Sequence, residues 1–238
     1  MAAGKSTRFK STFPKVVHPL CGQPLIVHIL EKLRNLDLDK TFVVVGHDEN
    51  TVRDAVTGYD VDFVVQEEPL GTGHAVISTA PFLDQLSGSL LVIPGDTPMI
   101  RLTTLERLFR IREESNAAEV VLTAVHENPY GYGRIIRNRK GVLVNIVEEK
   151  DATTDQKKLC EINAGVACFE ITPLLQGLSH LSQDNTAREY YLTDLVRIFC
   201  SLGHTVVATE SVHPDETLGI NSLEDLAWIE EKLTESRA

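Results

Sequence analysis

Several features are scarce in this 238-residue chain, and each scarcity removes a class of function. No apolar run approaches the roughly 20 residues that a membrane-crossing helix needs, and the N-terminal residues carry no apolar h-region of a secretory signal. The reading is of a protein with no membrane partner. Cys21, Cys160, Cys168 and Cys200 are scattered, with no C-x-x-C pair. They read as buried thiols in a reducing cytoplasm, not as a disulfide framework or a zinc site. The eight histidines show no H-E-x-x-H spacing. Basic residues are outnumbered, with a formal net charge of -11, which argues against nucleic acid as a partner. There is no low-complexity segment or short-period repeat, and nothing in the sequence bears on oligomeric state.

Acid is also missing where it matters. No Asp or Glu occurs before Glu31, whereas residues 2–15, AAGKSTRFKSTFPK, hold Lys5, Arg8, Lys10 and Lys15 with Gly4 and several hydroxyls. A cationic, glycine-containing stretch in an acidic chain points to polyphosphate: backbone N–H groups at a glycine turn face phosphate oxygens, and Arg and Lys balance the charge. Pro14 fixes the course of the chain just before Lys15, so Lys15 is presented from a stiff loop. Two other readings stand beside this one. Gly4-Lys5-Ser6 matches the last positions of a P-loop, whose first glycine would precede Met1, and the stretch also reads as a solvated basic terminus.

Downstream, hydrophobic periodicity predicts helices over 24–36, 50–56, 73–83, 103–114 and 192–202, and a last helix after Ser222, which can cap it. That last helix is expected to bury Leu223, Leu226, Ala227 and Leu233 on one face, flanked by Trp228 and Ile229. β-Branched and apolar runs predict strands over 41–45, 61–65, 90–93, 119–125, 134–137, 142–147, 164–169 and 205–208. The strand–helix alternation of the first half predicts a mainly parallel sheet. After Ala117 the rhythm changes, and the middle region is expected to pair antiparallel and to form a second binding wall. A phosphate loop of this kind should follow a buried strand, and the numbered residues before Ala2 supply none.

In open α/β sheets ligands gather beyond the carboxyl ends of the strands. Gln66, Asp96 and Glu148 each follow an apolar strand and are expected to converge on one rim. Asp96, after Gly95, is a natural Mg²⁺ ligand, because Mg²⁺ takes few protein oxygens plus waters and substrate phosphates. Asn221, in GINS, offers a second oxygen. Asp96 also reads as a turn residue capping the next helix, and Asn221 as plain turn chemistry. In QEEPLGTGHA, Gln66 together with backbone at Leu70 and Gly71 can match a pyrimidine edge, and Thr72 follows. Gly133, beside Tyr132, lets a ring approach the backbone. Glu148 and Asn163 are suited to sugar hydroxyls, since a carboxylate accepts two and an amide both donates and accepts.

Taken together, AAGKSTR, PKVVHPLCGQP, QEEPLGTGHA, GDTP, NPYGYGRI, VEEKDA, EINAG, EYYLTD and GINS resemble the sugar-phosphate nucleotidyltransferases over nearly the whole chain. Within them, they resemble the uridyltransferase half of the bacterial bifunctional enzymes that make UDP-N-acetylglucosamine. Ser6, Pro94 and Ala164 depart from that family's pattern, which often has Gly, Tyr and Thr there. The resemblance implies a Rossmann-like three-layer α/β nucleotidyltransferase fold over residues 1–238, with a mainly parallel mixed sheet and a small antiparallel sugar-binding region. It implies no acetyltransferase domain, because the hexapeptide repeats of the family's second half do not occur here. It implies UTP and a sugar 1-phosphate as substrates, with Mg²⁺ on Asp96 and Asn221. Arg8 and Lys15 would serve the phosphates. Ala2, Ala3, Gly4, Gln66, Gly71, Thr72, Gly95, Gly133, Glu148, Asn163 and Asn221 would contact the sugar nucleotide. A different sugar, dTTP in place of UTP, or a sugar-nucleotide-binding regulator without turnover are the alternatives; retention of Lys15, Arg8 and Asp96 argues against the last.

Overall fold

A computed structural model describes residues 1–4, 13–46 and 48–235. In chain order the elements are β1 (Pro19–Leu20), β2 (Gln23–Pro24), α1 (Leu25–Leu33), β3 (Phe42–Val45), α2 (Glu49–Ala55) and β4 (Asp62–Val65). There follow α3 (Thr72–Ile77), α4 (Ala80–Leu83), β5 (Ser89–Val92), α5 (Leu102–Ser115) and β6 (Glu119–Val125). The last are β7 (Arg134–Arg137), β8 (Leu143–Val147), β9 (Glu161–Glu170), α6 (Ile171–Leu178), α7 (Asp194–Ser201), β10 (Val206–Glu210) and α8 (Leu223–Glu235). No described helix is long and apolar enough to cross a membrane. The chain divides into two compact units, one of Met1–Pro69, Pro94–Thr103 and Asp215–Ala238, the other of Leu70–Ile93 and Thr104–Pro214.

In the first unit β3 and β4 pair in parallel, Val45 opposite Val65. The Ala2 N–H donates to the Val44 carbonyl at 2.7 Å, and the Gly95 N–H donates to the Met1 carbonyl at 2.8 Å. Residues 1–3 thus run alongside β3 and are bonded to Gly95 on the other side. The ends of these segments carry Gly4, Gly46, Gln66 and Asp96. The β-branched run of β3 buries Val43 and Val45 against Ile26, Val27 and Leu30 of α1. Helix α1 can do this because its apolar residues recur every three or four positions. A second cluster joins Leu20 and Leu25 to Ile220 and Ile229, with Leu226 and Leu233 beside them. The apolar face of α8 is therefore rotated from the expected one: Ile229 is buried and Leu223 is exposed.

The second unit is a six-stranded mixed sheet ordered β10-β6-β9-β7-β8, with β5 also paired to β9. Only β10–β6 is parallel there. The ten-residue β9 runs antiparallel to β5, β6 and β7. The expected mixed sheet is present, with a larger antiparallel share in this unit than the early strand–helix alternation implied, because β9 returns directly from the β7–β8 hairpin region. Strand β6 is buried along nearly its whole length, as a central strand covered on both faces must be.

Three local expectations are corrected. Residues 73–83 form two short helices, not one: Pro81 lies in the first turn of α4, where its missing N–H is harmless, but it could not continue α3. Helix α6 was not anticipated, since Pro173 and Gly177 punctuate its sequence. Of the four cysteines, all free, only Cys168 is buried; Cys160 and Cys200 are exposed.

Candidate active site

Two groups of the sequence-predicted residues assemble, one in each unit. In the first, Lys15 opens a short 3₁₀ turn (Lys15–Val17) directly after Pro14, and Val16 is buried beneath it. The Lys15 ammonium donates to Asp96 Oδ2 in a very short ion pair and reaches Asn221 Oδ1 at 3.4 Å. Residues 15, 96 and 221, remote in sequence, therefore meet at one point. Gly95 is needed beneath them: a Cβ there would lie 2.8 Å from both the Met1 carbonyl oxygen and Val16 Cγ1.

Asn221 is held by the start of α8. The Asp225 carboxylate accepts from the Asn221 and Ser222 N–H groups at 2.8 Å each, while Ser222 Oγ accepts from the Asp225 N–H at 3.1 Å. This reciprocal cap satisfies the exposed donors of the helix end and fixes Asn221 just outside it. The Asp96 carbonyl accepts from the Ile220 N–H at 2.9 Å, tying the two loops together. Two residues not singled out in the sequence also hold the Asp96 loop. Lys32 of α1 donates to the Pro98 carbonyl, and buried Glu216 accepts from the Arg101 N–H at 2.9 Å. Burial lowers the Lys32 amine to about 8, with Glu216 pulling the other way. Neither residue sits in a recognisable motif, so only the three-dimensional contacts reveal them.

The remaining first-unit candidates lie on the same strand ends. Ala2 is buried, and among the described residues nothing lies within 4 Å of where a Gly4 side chain would project. Gln66 is buried, its N–H donating to the Val45 carbonyl at 2.8 Å. Arg8 and Ser6 lie outside the described residues.

In the second unit, Gly133, Glu148 and Asn163 come together at one end of β7, β8 and β9. The Asn163 N–H donates to the Gly133 carbonyl at 2.9 Å. A Cβ on Gly133 would lie 2.9 Å from Ile146 Cγ2 and 3.4 Å from Glu148 Oε1, so a side chain there would press on Ile146 and stand against the Glu148 carboxylate. Asn163 sits where the β6–β9 register shifts, between Val121 and Thr123. Its Oδ1 accepts from the Gly165 N–H at 3.0 Å, and Gly165 itself has a positive φ of 75. Thr193, absent from the sequence-based set although EYYLTD contains it, donates its hydroxyl to Glu148 Oε1 at 2.8 Å. Burial pushes the Glu148 carboxyl up; Thr193 works against this, and neighbouring Asp151, Asp194 and Glu189 add to it.

Gly71 and Thr72 lie in the same unit, in a loop clamped to residues 189–192. Gly71 has φ +106, and a Cβ there would stand 2.6 Å from the Tyr190 carbonyl oxygen. The Tyr190 N–H donates to the Leu70 carbonyl at 2.7 Å, and the Gly73 N–H donates to the Tyr190 carbonyl at 2.8 Å. Thr72 Oγ1 accepts from the Leu192 N–H at 3.2 Å. Much of the polar backbone here is thus committed to the fold, which narrows what this turn can offer a base.

Among the described residues no cluster of three or more His, Cys, Asp and Glu side chains could hold a metal. Asp96 and Asn221 nonetheless fit a hard divalent ion of few protein ligands, since one cation, the Lys15 ammonium, already draws both oxygens toward it.

The chain is 43% identical over 230 residues to the "Bifunctional protein GlmU" of Brevibacillus brevis (strain 47), covering 97% of this chain and 50% of the relative. It is 45% identical over 221 residues to that of Bacillus mycoides, covering 93% and 48%. The chain thus spans about half the length of the curated relatives it matches. Among solved structures, apo UDP-glucose pyrophosphorylase superposes with a TM-score of 0.76 at 16% identity, covering 100% of this chain and 97% of that one. CMP:2-keto-3-deoxy-manno-octonic acid synthetase complexed with CTP gives 0.69 at 14%, covering 96% and 95%. At such identities the likeness is one of fold, the nucleotidyltransferase-like α/β arrangement. The model of the MobA-like NTP transferase domain matches residues 1–210, and the chain belongs to that family.

Proposed function

We propose that this chain is a sugar-phosphate nucleotidyltransferase that transfers uridylyl from UTP to N-acetylglucosamine 1-phosphate, releasing pyrophosphate and UDP-N-acetylglucosamine. The observation that carries the reading is the meeting of Lys15, Asp96 and Asn221. A cation beside two oxygen donors, held by a glycine-lined loop, is suited to phosphate groups and a divalent metal. The motifs shared with the uridyltransferases, the GlmU relatives and the family support the choice of nucleotide and sugar.

In the proposed reaction an oxygen of the sugar phosphate attacks the α-phosphorus of UTP in line, the bond to the β-phosphate oxygen breaks, and pyrophosphate leaves. No general base is needed, because a phosphomonoester with a second pKa of about 6 is already anionic near pH 7. Catalysis is then positioning and charge stabilisation. Lys15 offsets charge on the α-phosphate, and Arg8 holds the departing pyrophosphate. Asp96 and Asn221 would hold Mg²⁺, which when bound would neutralise charge on the phosphate oxygens. Gln66, Gly71 and Thr72, with Ala2, Ala3, Gly4 and Gly95, serve the nucleotide. Gly133, Glu148 and Asn163 read the sugar, Glu148 accepting from ring hydroxyls.

A panel of substrates tests the reading. UTP is expected to turn over far better than ATP or GTP. N-acetylglucosamine 1-phosphate should outperform glucosamine 1-phosphate, which leaves an unpaired polar group worth about 1–3 kcal/mol. Equal rates with purine triphosphates, or indifference to the acetyl group, would overturn the assignment of nucleotide or sugar.

A further inference from the structure

Arg134 is among the most deeply buried side chains of the second unit, 1% exposed, although Arg is rarely buried without a purpose. It opens β7, opposite Val147 of β8 and Ile162 of β9. Its guanidinium is spent on backbone and on one carboxylate. Nε donates to the Leu159 carbonyl at 3.1 Å, Nη1 to the Tyr132 carbonyl, and Nη2 to Glu149 Oε2 at 2.7 Å. Glu149 Oε2 accepts further from the Gly131 N–H at 3.3 Å, and Oε1 lies 3.6 Å from Lys157 Nζ. Three of these contacts, those of Tyr132, Gly131 and Glu149, anchor neighbours of the second-unit site. Tyr132 precedes Gly133, Gly131 starts the same loop, and Glu149 follows Glu148. The planar, five-donor guanidinium can bridge such diverging acceptors at once, and a lysine cannot.

We infer that the Arg134–Glu149 pair is a positioning device for the sugar: it fixes the 131–133 loop and the end of β8, and through them the separation between the Gly133 backbone and the Glu148 carboxylate. The inference rests on the proposed reading of Gly133, Glu148 and Asn163 as the sugar wall. Neither Arg134 nor Glu149 touches substrate in this account. The pair shifts the affinity for sugar 1-phosphate because a wall displaced by a fraction of an ångström loses its hydrogen bonds, whereas the phosphate-handling residues belong to the other unit.

The test compares Glu149→Gln and Glu148→Ala in the full chain, measuring KM for UTP and for N-acetylglucosamine 1-phosphate, with thermal unfolding as a check. Arg134→Met is the more drastic change and strips Glu149 of its closest partner; Glu149→Gln keeps the shape and one acceptor and removes the charge. Glu149→Gln is expected to raise the sugar-phosphate KM about tenfold, consistent with the steep cost of small misplacements, with the UTP KM within about twofold. Glu148→Ala should do the same more strongly. If Glu148→Ala raises the sugar-phosphate KM and Glu149→Gln leaves it unchanged, the positioning role is wrong while the sugar wall stands. If Glu149→Gln raises both KM values equally, the pair is only structural. If Glu148→Ala leaves the sugar-phosphate KM unchanged, the sugar wall itself fails, and the positioning role with it.

Discussion

Lys15 and Asp96, 81 positions apart in the chain, meet as an ion pair with Asn221 Oδ1 3.4 Å from the same ammonium. Both partners are mostly shielded from solvent, at 18% and 21% side-chain exposure, so this is not a loose surface pair of negligible worth. Under the proposed reading Asp96 and Asn221 would hold a divalent cation through the two oxygens that Lys15 now meets, and Lys15 would then serve a phosphate.

Asp96→Asn keeps the size of the side chain and removes its charge. Turnover should fall by about 10²-fold or more, as for loss of one electrostatic element of a phosphate site, with the thermal midpoint near that of the parent. Undiminished rates at limiting Mg²⁺ would show that Asp96 is not the metal ligand.

Lys15→Ala should lower kcat by about 10²–10³ while changing KM little, since a charge aimed at the transition state acts mainly on the chemical step. Steady-state kinetics separate the two. A change confined to KM would reduce Lys15 to a ground-state binding residue.

Gly71→Ala faces both a positive φ and a carbonyl oxygen 2.6 Å from the new Cβ. Gly131 has φ +88 and nothing within 4 Å. Gly71→Ala should therefore cost about 1–3 kcal/mol of stability by urea unfolding, the strained-backbone range, and more than Gly131→Ala. Equal costs would mean that the clamp against Tyr190 yields without penalty.

Glu119 is buried in β6 with Oε2 unpartnered among the described residues, and burial holds its carboxyl well above the usual range. The folded chain therefore keeps a proton that the unfolded chain, with a pKa of about 4.3, releases. Since the folded state binds more protons, stability falls as pH rises from that ordinary value through the raised one. Glu119→Gln removes this loss. The variant should gain on the parent from pH 4 towards pH 8 in urea unfolding series, and a gain independent of pH would contradict the ionisation argument.

The sequence was legible where one residue type has one use. The β-branched run of β3, the helical period of α1 and the Ser222 cap needed no tertiary information. Lys15, Asp96 and Asn221 could be named from strand-end position and motif, whereas Gly133, Glu148 and Asn163 each read alone as solvated surface and are named through the order of motifs that carries the family resemblance. What stayed hidden depends on distant partners. Gly177 looks like a helix breaker, yet in α6 it admits Phe199, whose ring would lie 2.7 Å from a Cβ. The burial of Arg134 has no signal in the sequence; its acceptors at 132, 149 and 159 come together only in the fold. Thr193 gains meaning only because the fold brings Glu148 to it, 45 positions away.

The most direct test of the central claim is pyrophosphate release from UTP by the purified chain with Mg²⁺, with and without N-acetylglucosamine 1-phosphate, and with the nucleotide product identified by mass. The account predicts release that requires the sugar phosphate and yields UDP-N-acetylglucosamine in equal amount. UTP bound without sugar-dependent pyrophosphate release, or release with no UDP-N-acetylglucosamine formed, would contradict it.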